Sequence, residues 1–208
     1  RGNKMKNAIL IHGSMVDRAQ YIREHKIGMI PASNAHFNSW LSGELTVNHN
    51  ILTQAPEMPH PYWTDIKYEE WADVLDNFKI NENTVLVGHS AGGGFLLRFL
   101  SENKNIKVGQ LVLVAPWLDM DGYAGDFLKF DLDPTLSERV GRMDIFYSTN
   151  DIWSKMLNPN MILDSVQKIK QTYPNINIHE FNDRGHFCKF DNGGEEFPEI
   201  LEVITCTQ

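Results

Sequence analysis

Two cysteines in 208 residues, Cys188 and Cys206, are too few for a disulfide framework and lack the CxxC spacing of a zinc site. Reduced thiols are expected. The eight histidines form no HxH or HExxH pattern and have no clustered Asp/His partners, so neither a metal nor another cofactor is expected. Long apolar runs are also missing. The longest aliphatic stretches, Ala8–Ile11 and Leu111–Ala115, are strand-sized, far short of the roughly 20 residues that span a bilayer. Lysine and arginine never gather into a run, and 19 of them stand against 27 acidic side chains for a net charge of −8, which argues against a nucleic-acid surface. No apolar leader with a small-residue cleavage site precedes Met5. Arg1–Lys4 read as an appended or naturally polar start, 5–208 as a single domain, and the cytoplasm as the expected location.

What is present is the composition of a folded globule, 42% hydrophobic and 22% charged. Short β-branched runs alternate with longer segments of helical period, the pattern of βα units around a parallel sheet. The pattern predicts an α/β fold with about six mostly parallel strands, flanked by helices on both faces. The strands are expected over Lys6–Ile11, Thr46–Ala55, Thr84–Gly88, Gln110–Ala115, Met143–Ser148 and Asn177–Phe181. Helices are expected near Phe37–Glu44, Ile66–Phe78, Ala91–Glu102, Asn160–Tyr173 and Glu195–Ile204. Two connections, Met15–Asn34 and Asp119–Ser137, are long enough to suggest lids or substrate loops.

The chemistry concentrates where the third strand runs into Gly88-His89-Ser90-Ala91-Gly92 and an apolar helix. This GxSxG in strand-turn-helix context holds a serine on a sharp, strained turn above the sheet, with glycines letting strand and helix approach. A hydroxyl needs a base to take its proton, and the base is usually fixed by a carboxylate. On such a scaffold the chain order is serine, acid, histidine. Asp151 follows the fifth strand and His186 follows the sixth, both past the carboxyl ends where open α/β sheets bind ligands. Asp144 would sit at the wrong end of its strand, Asp183 lies three residues before His186, and His179 falls within a strand. The catalytic candidates are therefore Ser90, Asp151 and His186. A turn or cap role is the plain alternative for Asp151, and a packed loop histidine for His186.

An oxyanion hole needs two N–H donors. Ala91 supplies one at the helix start, and the His12-Gly13-Ser14 stretch after the first strand nominates the Ser14 N–H for the other, with Met15 as the alternative. His12, Met15, Trp117 and Trp153 are candidate pocket residues, although a tryptophan so placed is more often simply a packed loop aromatic.

On these residues the chain resembles the α/β-hydrolase superfamily and, within it, the small serine hydrolases of the retinoblastoma-binding-protein-nine type. The likeness is carried by Val87–Gly92, Tyr147–Asp151 and Asp183–Phe187, and by the acidic stretch leading to Phe197-Pro198-Glu199-Ile200. The Trp40 helix and Met58-Pro59 are also similar. The resemblance implies a compact α/β-hydrolase core without a large cap domain, and a triad mapping onto Ser90, Asp151 and His186. It does not fix a substrate. A departure lies after Gly13-Ser14-Met15, where relatives carry a glycine-rich turn and this chain has an insertion-like segment to Asn34. The expected function is hydrolysis of small carboxylic esters. The alternatives are amide, thioester or acyl-transfer chemistry with the same parts, or a catalytically silent binding module on the same scaffold. A phosphate-binding loop fits poorly, because GxGxxG would need glycine in place of Ser90.

Overall fold

The computed structural model describes residues 6–16, 19, 30–152 and 157–206. Arg1–Lys4, Trp153 and most of the Met15–Asn34 connection lie outside them. Six strands are present among the described residues: β1 (Asn7–Ile11), β2 (Leu52–Gln54), β3 (Thr84–His89), β4 (Val108–Val114), β5 (Val140–Ser148) and β6 (Asn177–Phe181). They form one sheet in the order β2-β1-β3-β4-β5-β6, with every neighbouring pair parallel. The α/β expectation holds. β3 is buried along its whole length, as is required of a strand covered on both faces. The edge strand β6 instead has exposed and half-buried residues and none that is buried.

Five α-helices connect or follow the strands among the described residues: α1 (Asn38–Gly43), α2 (Tyr68–Leu75), α3 (Ala91–Glu102), α4 (Met161–Thr172) and α5 (Pro198–Thr205). The chain leaves β1 toward β2, returns to β3 on the other side of β1, and then moves steadily outward. Right-handed crossovers in opposite directions put α1 on the face opposite α2, α3 and α4. Aromatic contacts bear this out. Trp71 of α2 meets Phe95 of α3 with ring centres 5.3 Å apart, whereas Phe37, just before α1, meets Phe197, just before α5, at 5.5 Å. Trp71 and Phe95 are fully buried, and truncating either to alanine would cost about 3–5 kcal/mol.

One predicted element changes character. The strand expected over Thr46–Ala55 shrinks to Leu52–Gln54, and Glu44–Asn48 continues α1 as a wider helical turn. Leu45 is buried, Val47 is 80% exposed, and Ile51 N–H donates to the Leu45 carbonyl, so the apolar residues close a helix end instead of alternating on a pleat. The Asp119–Ser137 connection is not a lid. It buries Phe127 against Trp71 and Phe95, and Arg98 of α3 donates to the Asp126 and Phe127 carbonyls. No helix among the described residues is long and apolar enough to cross a membrane.

The reversal of strand order falls between β1 and β3, and a crevice opens there beyond the carboxyl ends of the strands. Ile11 at the end of β1 pairs with Gly88 near the end of β3, which brings the loops after both strands together.

Candidate active site

β3 ends at His89 and α3 begins at Ala91, so Ser90 alone makes the turn. Its φ of 54° and ψ of −120° lie in a region that costs a side-chain-bearing residue about 1–3 kcal/mol. The surroundings hold it there. Ser90 N–H donates to Val114 O at 2.9 Å, and Ser90 O accepts from the N–H groups of Gly93 (3.0 Å) and Trp117 (3.0 Å). The turn also needs bare backbone, since a Cβ on Gly88 would lie 2.7 Å from Gly92 O, and one on Gly92 would collide with Ile11 O. Ser90 opens into a cavity of about 70 Å³ whose lining includes His12, Ser14, Met15, His89 and His186.

Asp151 and His186 come together from loops after neighbouring strands. His186 Nδ1 is 2.8 Å from Asp151 Oδ2, and both side chains are buried. Asp151 Oδ1 is buried with no hydrogen-bond partner among the described residues, which leaves His186 as the focus of the carboxylate. Two polar side chains from the Asp151 turn sew the loops together. Ser148 Oγ accepts from the Arg184 N–H (3.1 Å) and donates to Asn150 Oδ1 (2.6 Å), which also accepts from Gly185 N–H (2.9 Å). On the far side, Asp191 Oδ2 accepts from His186 N–H at 3.2 Å. Phe187 is fully buried and stacked on Phe197 at 5.3 Å, with φ at 59°, so the loop carries strain on the residue next to His186.

The oxyanion candidates lie just past β3 and β1, on the two sides of the switch point. Ala91 is the first residue of α3, so its N–H has no intrahelical acceptor, and the helix N-terminus favours negative charge. Neither the Ala91 nor the Ser14 N–H meets an acceptor among the described residues. Met15 N–H, the alternative donor, is already spent on Pro61 O at 2.8 Å. The Ser14 loop is clamped by the segment before α2: Trp63 N–H donates to Met15 O (3.0 Å) and Trp63 Nε1–H to Ser14 Oγ (2.9 Å). His12 completes the clamp, with Nδ1–H donating to Gly13 O (2.7 Å) and Nε2 accepting from Met58 N–H (2.9 Å). Burial lowers its pKa, and this bonding fits the neutral ring. Trp117 is buried, stacks on Trp63 at 4.6 Å, and supports the turn through its N–H to Ser90 O.

The remaining sequence candidates lie elsewhere. Asp183 is exposed, 3.9 Å from Arg184. His179 bonds Asp144 at 3.0 Å, and Asp144 is bound in turn by Arg142 and Gln110 within the sheet. Among the described residues, no three His, Cys, Asp or Glu side chains are grouped so as to hold a metal ion.

Four residues of the site escape sequence reasoning: His89, Trp63, Ser148 and Asn150. Only the last two have a visible signal, the polar Ser-Thr-Asn-Asp run that ends β5. His89 is buried, and its Nε2 lies 2.9 Å from His186 O.

The family model for serine hydrolases matches residues 28–205. YdeN of Bacillus subtilis (strain 168), which carries a hydrolase name, is 26% identical over 188 residues, covering 86% of this chain and 91% of YdeN. The crystal structure of the B. subtilis ydeN product has a TM-score of 0.75 at 22% identity, covering 97% of both chains. FphF, a fluorophosphonate-binding serine hydrolase of Staphylococcus aureus, shares the fold at a TM-score of 0.51 and 16% identity, covering 99% of this chain and 84% of FphF. The parallel sheet with this strand order is an α/β-hydrolase fold, and with a family match over most of its length the chain belongs to the serine hydrolase family.

Proposed function

We propose that the protein hydrolyses small-molecule carboxylic esters through an acyl-enzyme on Ser90, with His186 as general base and Asp151 orienting and stabilising the imidazole. The observation that carries this reading is the buried Asp151–His186 pair, whose imidazole lines the same cavity as the strained Ser90.

In the reaction, Ser90 Oγ attacks the ester carbonyl while its proton passes to His186 Nε2. The Nδ1–H of His186 stays on Asp151, which stabilises the imidazolium without taking the proton. The carbonyl electron pair moves onto oxygen, where the Ala91 and Ser14 N–H groups meet the developing charge. Collapse expels the alcohol, which receives the proton from His186. Water then attacks the acyl group with His186 again as base, releasing the acid and restoring Ser90. Amides and thioesters would use the same groups. Ester hydrolysis is the default because acylation of the serine followed by attack of water needs only the groups just named. The narrower likeness to the retinoblastoma-binding-protein-nine type rests on the motifs quoted from the sequence.

Stopped-flow hydrolysis of p-nitrophenyl acetate and butyrate tests the proposal. A nitrophenol burst equal to the enzyme concentration, lost in Ser90→Ala, is the expected result. Turnover that persists in Ser90→Ala would overturn it.

A further inference from the structure

His89 is a buried histidine beside the reacting groups that the proposed chemistry does not use. It occupies the last position of β3, immediately before Ser90, and is 3% exposed. Its Nε2 is 2.9 Å from the backbone carbonyl oxygen of His186. A carbonyl only accepts, so Nε2 carries a proton and donates it. The ring is held edge-on to Phe37 (centres 5.5 Å apart) and lies 5.1 Å from the His186 ring.

Asn150, beside the acid, holds Gly185, and Asp191, within the same loop, holds the His186 N–H. The His89 bond runs from the strand that delivers Ser90. We propose that His89 is a positioning residue that ties the backbone of His186 to the strand carrying Ser90 and so sets the distance between nucleophile and base. This rests on reading Ser90 and His186 as that pair.

The ring is expected to make this bond as the neutral Nε2–H tautomer. Burial holds its pKa well below the usual histidine range, and the neighbouring His186, His36 and His12 push the same way, against the opposing bond to His186 O. These lie on the loop after β6, the segment before α1 and the turn after β1.

Two substitutions separate the tether from simple packing. His89→Phe keeps a flat ring and removes the donor, whereas His89→Gln restores an N–H donor. His89→Phe is expected to lower kcat and the second-order rate of fluorophosphonate labelling together, on the order of 10- to 100-fold, with KM nearly unchanged. His89→Gln should recover most of that loss at every pH of the kcat/KM profile. A folded His89→Phe labelled at the wild-type rate would overturn the proposal, as would a folded His89→Gln that loses as much as His89→Phe. Should the variants not fold, nitrogen-15 histidine NMR of the wild type decides: His89 must show a protonated Nε2 between pH 6 and pH 8, and a bare Nε2 would refute the tether. Wild-type protein that takes no label would instead count against the Ser90 reading, while the tautomer measurement tests the tether alone.

Discussion

Strands β5 and β6 and the loops that follow them carry two aspartate–histidine pairs. Partners are 35 residues apart in both, at 3.0 Å for Asp144–His179 and 2.8 Å for Asp151–His186. Their surroundings divide them. Asp144 is saturated: Arg142 donates from Nε (2.8 Å) and Nη2 (2.9 Å), and Gln110 from Nε2 (2.9 Å). Despite its desolvation, bonds from His179, Arg142 and Gln110 hold its pKa below the ordinary carboxylate range. His179 stacks flat on Phe146 at 4.2 Å. Asp151, by contrast, has one oxygen on His186 and the other buried without a partner, and His186 opens on the Ser90 cavity. Pair distance alone does not make a reactive site. A carboxylate not shared with other cations, and an imidazole with a nucleophile in the same cavity, separate a candidate base from a structural ion pair.

The largest expected effects lie on the reactive pair. Ser90→Ala and His186→Ala should each lower esterase kcat by on the order of 10³ to 10⁶, and the double variant should be little worse than either, because the groups act as a unit. Additive losses would separate the two residues. Next comes the direct contrast: Asp151→Asn should cost ~10⁴ in kcat by mis-setting the imidazole tautomer. Asp144→Asn should leave kcat almost unchanged and instead lower stability in urea by about 3 kcal/mol, as a buried pair loses its charge. The reverse outcome would exchange the roles of the pairs.

Smaller effects appear in the pH dependence of stability. Bonds from Thr135 and Arg139 overcome the desolvation of Asp133 and lower its pKa to about 2, and Asp144 is lowered as well. Carboxylates with depressed folded pKa values stabilise fully above the unfolded value of about 3.9, and that contribution is lost as pH falls through the folded values. Chemical denaturation between pH 5 and pH 2 should show this limb, and Asp144→Asn should flatten it. The neutral His89 adds a milder slope of at most about 1.4 kcal/mol per unit, beginning as pH drops below about 6.5, where the unfolded histidine takes a proton that the folded one refuses. His89→Gln should remove that slope.

Much of the architecture was legible because burial writes itself into composition. The uninterrupted Thr84–Val87 run and the apolar Phe95–Leu100 stretch locate β3 and α3, and the glycines between them mark a turn that only a close backbone approach requires. The order serine, acid, histidine then selects the residues that the fold brings to one edge. β4 and β5 begin earlier than expected, at Val108 and Val140, and the added residues include Gly109 and Gly141, a residue type that weakens a strand pattern. In the sheet they allow close packing: a Cβ on Gly141 would lie 2.7 Å from Gly109 O. Trp63 on Ser14 and His89 on His186 were illegible for a different reason. Each joins segments far apart in the chain through one side chain, with no local pattern to announce it.

The central claim is that Ser90 is activated by His186. Intact-mass analysis after treatment with a fluorophosphonate tests it most directly, on wild type, Ser90→Ala and His186→Ala. The account predicts a single adduct on wild type and none on either folded variant. A folded wild type that takes no adduct, or an adduct that survives in Ser90→Ala, would contradict it.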